Sequence, residues 1–118
     1  MNSHVTIYHN PRCSKSRETL ALLERHDIHP TVVLYLETPP DAATLAVLIK
    51  QLGFDNAREL MRSKEDLYRQ LNLADDTLTQ TQLIQAMVEN PKLIERPIVV
   101  VNDQARIGRP PESVLEII

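Results

Sequence analysis

Val5-Thr6-Ile7-Tyr8-His9-Asn10-Pro11-Arg12-Cys13-Ser14-Lys15-Ser16-Arg17 moves from a strand, through a break, into a helix. Val5 to Tyr8 has the β-branched and aromatic character of a buried strand, and Asn10-Pro11 stops it. Ser16 to His26 has a helical pattern carrying Leu20, Leu22 and Leu23, and His29-Pro30 ends it. Thr31-Val32-Val33-Leu34-Tyr35-Leu36 then reads as the clearest strand of the chain. A strand, a helix and a strand joined by links this short form a βαβ unit, so the two strands are expected to run parallel.

Working outward, Thr38-Pro39-Pro40-Asp41 supplies a capping hydroxyl, prolines for a first turn and an early acid, which together predict a helix start. Leu45, Leu48, Ile49 and Leu52 follow on one helical face, and Gly53 closes the element. From Asn56 to Asn90 no strand pattern appears; Ala57 to Arg62, Lys64 to Leu71 and Thr81 to Asn90 read as helices, with Thr79 and Gln82 spaced as a capping box. Arg96-Pro97-Ile98-Val99-Val100-Val101 is again β-branched; Asn102-Asp103 can turn it into a return strand, Ala105-Arg106-Ile107. Gly108-Arg109-Pro110-Pro111-Glu112 opens a last helix, with Val114, Leu115 and Ile118 expected to face inward. The expected fold is α/β: a thioredoxin/glutaredoxin-like four-stranded mixed sheet, in one domain over residues 1–118. A helical insertion at about 38–95 separates its βαβ and ββα halves.

At 118 residues the chain can bury a core without disulfide or metal staples. A net charge of −3 argues against nucleic acid or an anionic membrane as the main partner. No apolar run approaches membrane-spanning length, and the first residues lack the cationic start and apolar stretch of a secretory signal. With a single cysteine, an internal disulfide and a cysteine-based metal site are both excluded. The histidines show no convincing ligand spacing, so no metal and no bound cofactor are expected. A reducing, cytoplasmic setting follows, where a free thiol survives.

Cys13 falls at or just before a helix N-terminus, where unpaired N–H groups and the helix dipole favour an anion. Arg12, Lys15 and Arg17 add positive charge, and His9 lies four residues back. Such surroundings bring a thiol pKa from about 8.5 into the range of roughly 3.5–7.5. A buried, inert thiol is the alternative, but so many cations disfavour it. Arg62, Arg96 and Arg109 stand at element junctions from which side chains can reach a sheet edge. The guanidinium fork suits tetrahedral oxyanions. Two of the three precede prolines. Pro97 alone would be expected trans, since cis bonds are only about 5–6% of X–Pro bonds.

Taken together, Ile7-Tyr8-His9-Asn10-Pro11-Arg12-Cys13, Leu34-Tyr35-Leu36-Glu37-Thr38-Pro39, Arg96-Pro97-Ile98-Val99-Val100 and Arg109-Pro110-Pro111-Glu112 resemble the spaced motifs of the glutaredoxin-coupled arsenate reductases, the bacterial arsenate reductase C family. The likeness is greatest to the short chromosomal subgroup. The resemblance implies that Cys13 is the nucleophile, that His9 helps hold its thiolate, and that Arg62, Arg96 and Arg109 bind arsenate. It also makes Pro97 a candidate cis-proline. It implies glutathione as co-substrate and glutaredoxin as protein partner. Ser16 stands where a resolving cysteine would complete Cys-x-x-Cys, so reducing equivalents must come from other molecules. Thr19, six residues after Cys13, excludes the Cys-x5-Arg phosphate loop of the other arsenate reductase class.

Two other readings stay open at this point. A general monothiol oxidoreductase of the glutaredoxin type would use the same cysteine, with the arginines receiving a glutathione carboxylate. A polymerase-binding regulator of the Spx type shares the fold but usually carries Cys-x-x-Cys, which Ser16 disfavours.

Overall fold

The computed structural model describes residues 4–118. Four strands, β1 (Val5–His9), β2 (Thr31–Leu34), β3 (Ile98–Val101) and β4 (Gln104–Ile107), form one sheet in the order β2-β1-β3-β4. The β1–β2 pair is parallel, with Thr6 opposite Thr31 and His9 opposite Leu34. The β1–β3 and β3–β4 pairs are antiparallel. The sheet is therefore mixed, as the βαβ and ββα patterns predict. Helix α1 (Ser14–Arg25) connects β1 to β2.

The chain divides into two compact units, Met1–Thr38 with Arg96–Ile118, and Pro39–Glu95. In the first, Val5 and Ile7 of β1, Leu22 and Leu23 of α1, Val99 and Val101 of β3, and Val114 and Ile117 make a core cluster, with Leu20 and Ile28 half-buried against it. Alternation along β1 places Val5, Ile7 and His9 on its buried side.

Several local expectations are corrected. Strand β2 stops at Leu34, and Leu34 O accepts from the amides of Glu37 and Thr38. The strand ends there because β1, its only neighbour among the described residues, ends at the paired His9. The last segment, Pro111–Glu116, is a 3₁₀ helix. With a period near three, Val114 and Ile117 point inward, while Leu115 and Ile118 are exposed.

The second unit contains α2 (Ala42–Gln51), a 3₁₀ turn at Ala57–Leu60, α3 (Asp66–Gln70) and α4 (Gln80–Glu89). The N-cap of α2 is Asp41, whose Oδ1 accepts from the Thr44 amide at 2.8 Å, and not Thr38. Two proline rings delay helical geometry until that point. Thr79 and Gln82 form the capping box that starts α4, and Asn56 with Glu59 forms another. Helices α2 and α4 pack on each other and on the 3₁₀ turn. Leu45, Leu60, Leu83 and Met87 are fully buried. Gly53 takes a φ of +77°, the left-handed conformation that closes α2. Among the described residues no helix is long and apolar enough to cross a membrane.

Candidate active site

Cys13 is the N-cap of α1, with extended backbone angles, and no acidic residue lies in the first turn. The loop before it is tightly tied. Cys13 N donates to Asn10 O at 3.0 Å, and Arg12 N donates to Asn10 Oδ1 at 3.0 Å. An Asx turn of this kind is what Asn before proline favours. Cys13 is 9% exposed as a whole residue, so it is nearly enclosed.

Two arginines of the first unit converge on it. Arg109 Nη2 lies 3.5 Å from Cys13 Sγ, and its Nε donates to Arg96 O at 2.8 Å. Arg96 Nε is buried and makes no hydrogen bond. A buried donor left without an acceptor costs about 1–3 kcal/mol, so this nitrogen is set up for an acceptor that arrives from outside. Burial pushes the Cys13 thiol up. The Ser16 amide, the Arg96 guanidinium and the Lys15 amide more than reverse this and leave it below the ordinary thiol value. The sequence-adjacent cations act elsewhere: Arg17 donates to Pro11 O, and Lys15 pairs with Glu18. The charge that holds the thiolate comes from the far end of the chain.

The peptide bonds before Pro97 and before Pro110 are both cis. Gly108 N donates to Pro97 O at 2.9 Å, joining the two arginine motifs. A Cβ on Gly108 would sit 2.9 Å from Pro97 Cγ and nearer still to Thr19 Oγ1. Glycine is required there by that approach to α1.

His9 is 6% exposed, and its Nδ1 lies 2.6 Å from Ser16 Oγ, which also accepts from the Asn10 amide at 3.0 Å. Burial, then the charge of Arg17, lower the His9 pKa, which favours the neutral ring. His9 thus orders the helix turn beneath Cys13 through its hydrogen bond to Ser16. The sequence signal for this buried network is Ser16 itself, a serine three residues into a helix that opens beside a strand ending in histidine.

Arg62 belongs to the other unit. Its Nε lies 3.3 Å from Glu65 Oε1, its Nη1 3.4 Å from Glu95 Oε1, and its backbone N–H donates to Leu93 O at 2.7 Å. Of the site residues expected from sequence, the structure gathers Cys13, His9, Arg96, Pro97 and Arg109 in the sheet unit; the Arg62 side chain, in the helical unit, pairs with Glu65 and Glu95.

A mixed four-stranded sheet with the chain's single thiol at the first helix start defines a thioredoxin-like fold with a single-cysteine site. The comparisons with known proteins agree with that description. The ArsC family model matches residues 8–117, and the chain belongs to the ArsC family. It is 70% identical over 118 residues to the Escherichia coli protein YfgD, whose function is uncharacterised, covering 100% of this chain and 99% of that protein. It is 54% identical to the arsenate reductase of Haemophilus influenzae, over 97% of this chain and 98% of that one. The solved structure of an arsenate reductase from Vibrio cholerae superposes with a TM-score of 0.98 at 59% identity, covering 100% of both chains.

Proposed function

We propose that this protein is an arsenate reductase that works in the reducing cytoplasm, with Cys13 as nucleophile and glutathione and glutaredoxin as the sources of electrons. The observation that carries the reading is the Arg109 guanidinium 3.5 Å from the Cys13 sulfur, beside the buried and unpartnered Arg96 Nε. A thiolate facing guanidinium donors suits attack on a tetrahedral oxyanion whose oxygens gain charge as the bond forms.

Cys13 sulfur bonds to arsenic as one arsenate oxygen leaves as water; arsenic stays +5. Glutathione condenses in the same way, releasing a second water. The glutaredoxin thiolate then attacks the glutathione sulfur, forming a mixed disulfide, and the sulfur–arsenic bonding pair remains on arsenic, now +3. Water cleaves the last Cys13–arsenic bond, releasing arsenite and the thiol. Arg96 and Arg109 hold the oxyanion through these steps, and Arg62 is assigned to the same task on the family resemblance. His9 keeps Ser16, and so the first-turn amides, in place behind the sulfur.

The test is arsenite production by purified protein with arsenate, glutathione and glutaredoxin. Turnover that needs all three, and is abolished by Cys13→Ser, is expected. Turnover retained in Cys13→Ser overturns the mechanism. Glutathione mixed-disulfide reduction without arsenite formation would assign the protein to the general thiol oxidoreductases.

A further inference from the structure

The loop that carries Cys13 also walls a second space. A cavity of about 410 Å³ opens at the carboxyl ends of the parallel strands β1 and β2. Open α/β sheets bind ligands outside the carboxyl ends of their strands, and 300–1,000 Å³ is the usual size of a small-molecule pocket. Cys13 is not among its lining residues, so it is distinct from the thiol–arginine cluster. His9 and Asn10, both buried, line it together with Leu34; Pro11, Arg12, Leu36 and Glu37 are its exposed members.

Three observations indicate its occupant. Leu36, 44% exposed, offers apolar surface that nothing in the fold explains. Arg12 and Glu37, opposite charges on one small cavity, have side chains with no hydrogen bond or ion pair among the described residues, to each other or to anything else. The Arg12 Cα is one peptide unit, about 3.8 Å, from that of Cys13, so a ligand anchored at Arg12 lies within reach of the sulfur. An unpaired cation and an unpaired anion flanking an apolar wall match a small zwitterionic peptide: a carboxylate for Arg12, an ammonium for Glu37, and a methylene and sulfur portion over Leu34 and Leu36. A tripeptide, about 10 Å when extended, has the right length. A chain with one cysteine needs a thiol of this kind from outside.

We propose that this cavity is the binding site of a glutathione-class tripeptide thiol; its role as the co-substrate site rests on the reductase reading above. Arg12→Glu and Glu37→Lys are each expected to raise the KM for glutathione at least tenfold, with kcat recovered at saturating glutathione and the KM for arsenate changed less than twofold. An unchanged glutathione KM overturns the assignment, and so does a raised KM for glutaredoxin alone, which would give the cavity to the protein reductant. A titration independent of turnover separates the two readings. In Cys13→Ser protein, S-methylglutathione is expected to shift the amide resonances of Leu34, Leu36 and Glu37 saturably, and Arg12→Glu to abolish the shifts. Shifts confined to the surroundings of Arg96 and Arg109, or none, overturn the site. Saturable shifts in a protein that makes no arsenite would uphold the site while the reductase reading fails.

Discussion

In the helical unit Arg58 donates to the carbonyls of Leu73 and Asp75, and Arg62 to the carboxylates of Glu65 and Glu95. In the sheet unit Arg96 keeps a buried Nε without any acceptor, and Arg109 reaches past the Arg96 carbonyl to the Cys13 sulfur. The same side chain serves as a fastener in one region and as a reserved donor in the other. Structural arginines spend their donors on acceptors that fold with them, which is the usual outcome for a partly buried cation. Leaving Arg96 Nε unspent carries a stability cost, which an incoming oxyanion would recover on the proposed function.

The sharpest way to break this contrast is Arg96→Ala. It is expected to lower kcat/KM for arsenate by about 10–10²-fold, the worth of a hydrogen bond to a charged group, with little loss of thermal stability because it also removes a buried donor that has no acceptor. The same change should raise the pH midpoint of Cys13 alkylation, since the guanidinium is one cause of the depressed thiol pKa. The sign is fixed by linkage: a thiol held low in the folded state stabilises the fold above its unfolded value, and that contribution fades as pH falls through the folded value. A variant that melts early with an unmoved alkylation midpoint would make Arg96 a fastener too.

Gly108→Ala tests the packing that brings the arginine motifs to α1. Because a Cβ meets Pro97 and Thr19, a loss of about 1–3 kcal/mol is expected in urea unfolding. No loss would show that those side chains yield. Smallest is Thr79→Ala in the helical unit, which removes the α4 cap and should cost about 1 kcal/mol while leaving the thiol alkylation profile unchanged. A shifted profile would mean that the two regions are less separate in their tasks than their arginines suggest.

The β-branched runs at Val5–Tyr8, Thr31–Leu34 and Ile98–Val101 and the helical spacing after Asp41 were legible because strand and helix periods are local. Cys13 at a helix start was legible for the same reason. The end of β2 was not, because it is set by where β1 stops. Nor was the inward face of the last segment, whose 3₁₀ period is invisible in so few residues. The identity of the charge beside Cys13 also escaped local reading. Arg12, Lys15 and Arg17 are its neighbours in sequence, yet Arg96 and Arg109 reach it through the sheet. Ser16 and Thr19, fully buried on α1, break the rule that buried helix faces are apolar. Each is satisfied nearby, Ser16 by His9 and Asn10, and Thr19 by the Lys15 carbonyl at 2.8 Å.

Strand β1 is bonded on both sides, parallel to β2 and antiparallel to β3, and its alternation puts His9 in line with Val5 and Ile7. It therefore acts as a ruler. A slip of one residue, about 3.3 Å, would expel all three side chains from the interior and drag the Cys13 loop with them. The packing of the core cluster and the placement of the Cys13 sulfur share one measured edge. A change along β1 is thus judged twice, once by folding and again by the chemistry four residues beyond its end.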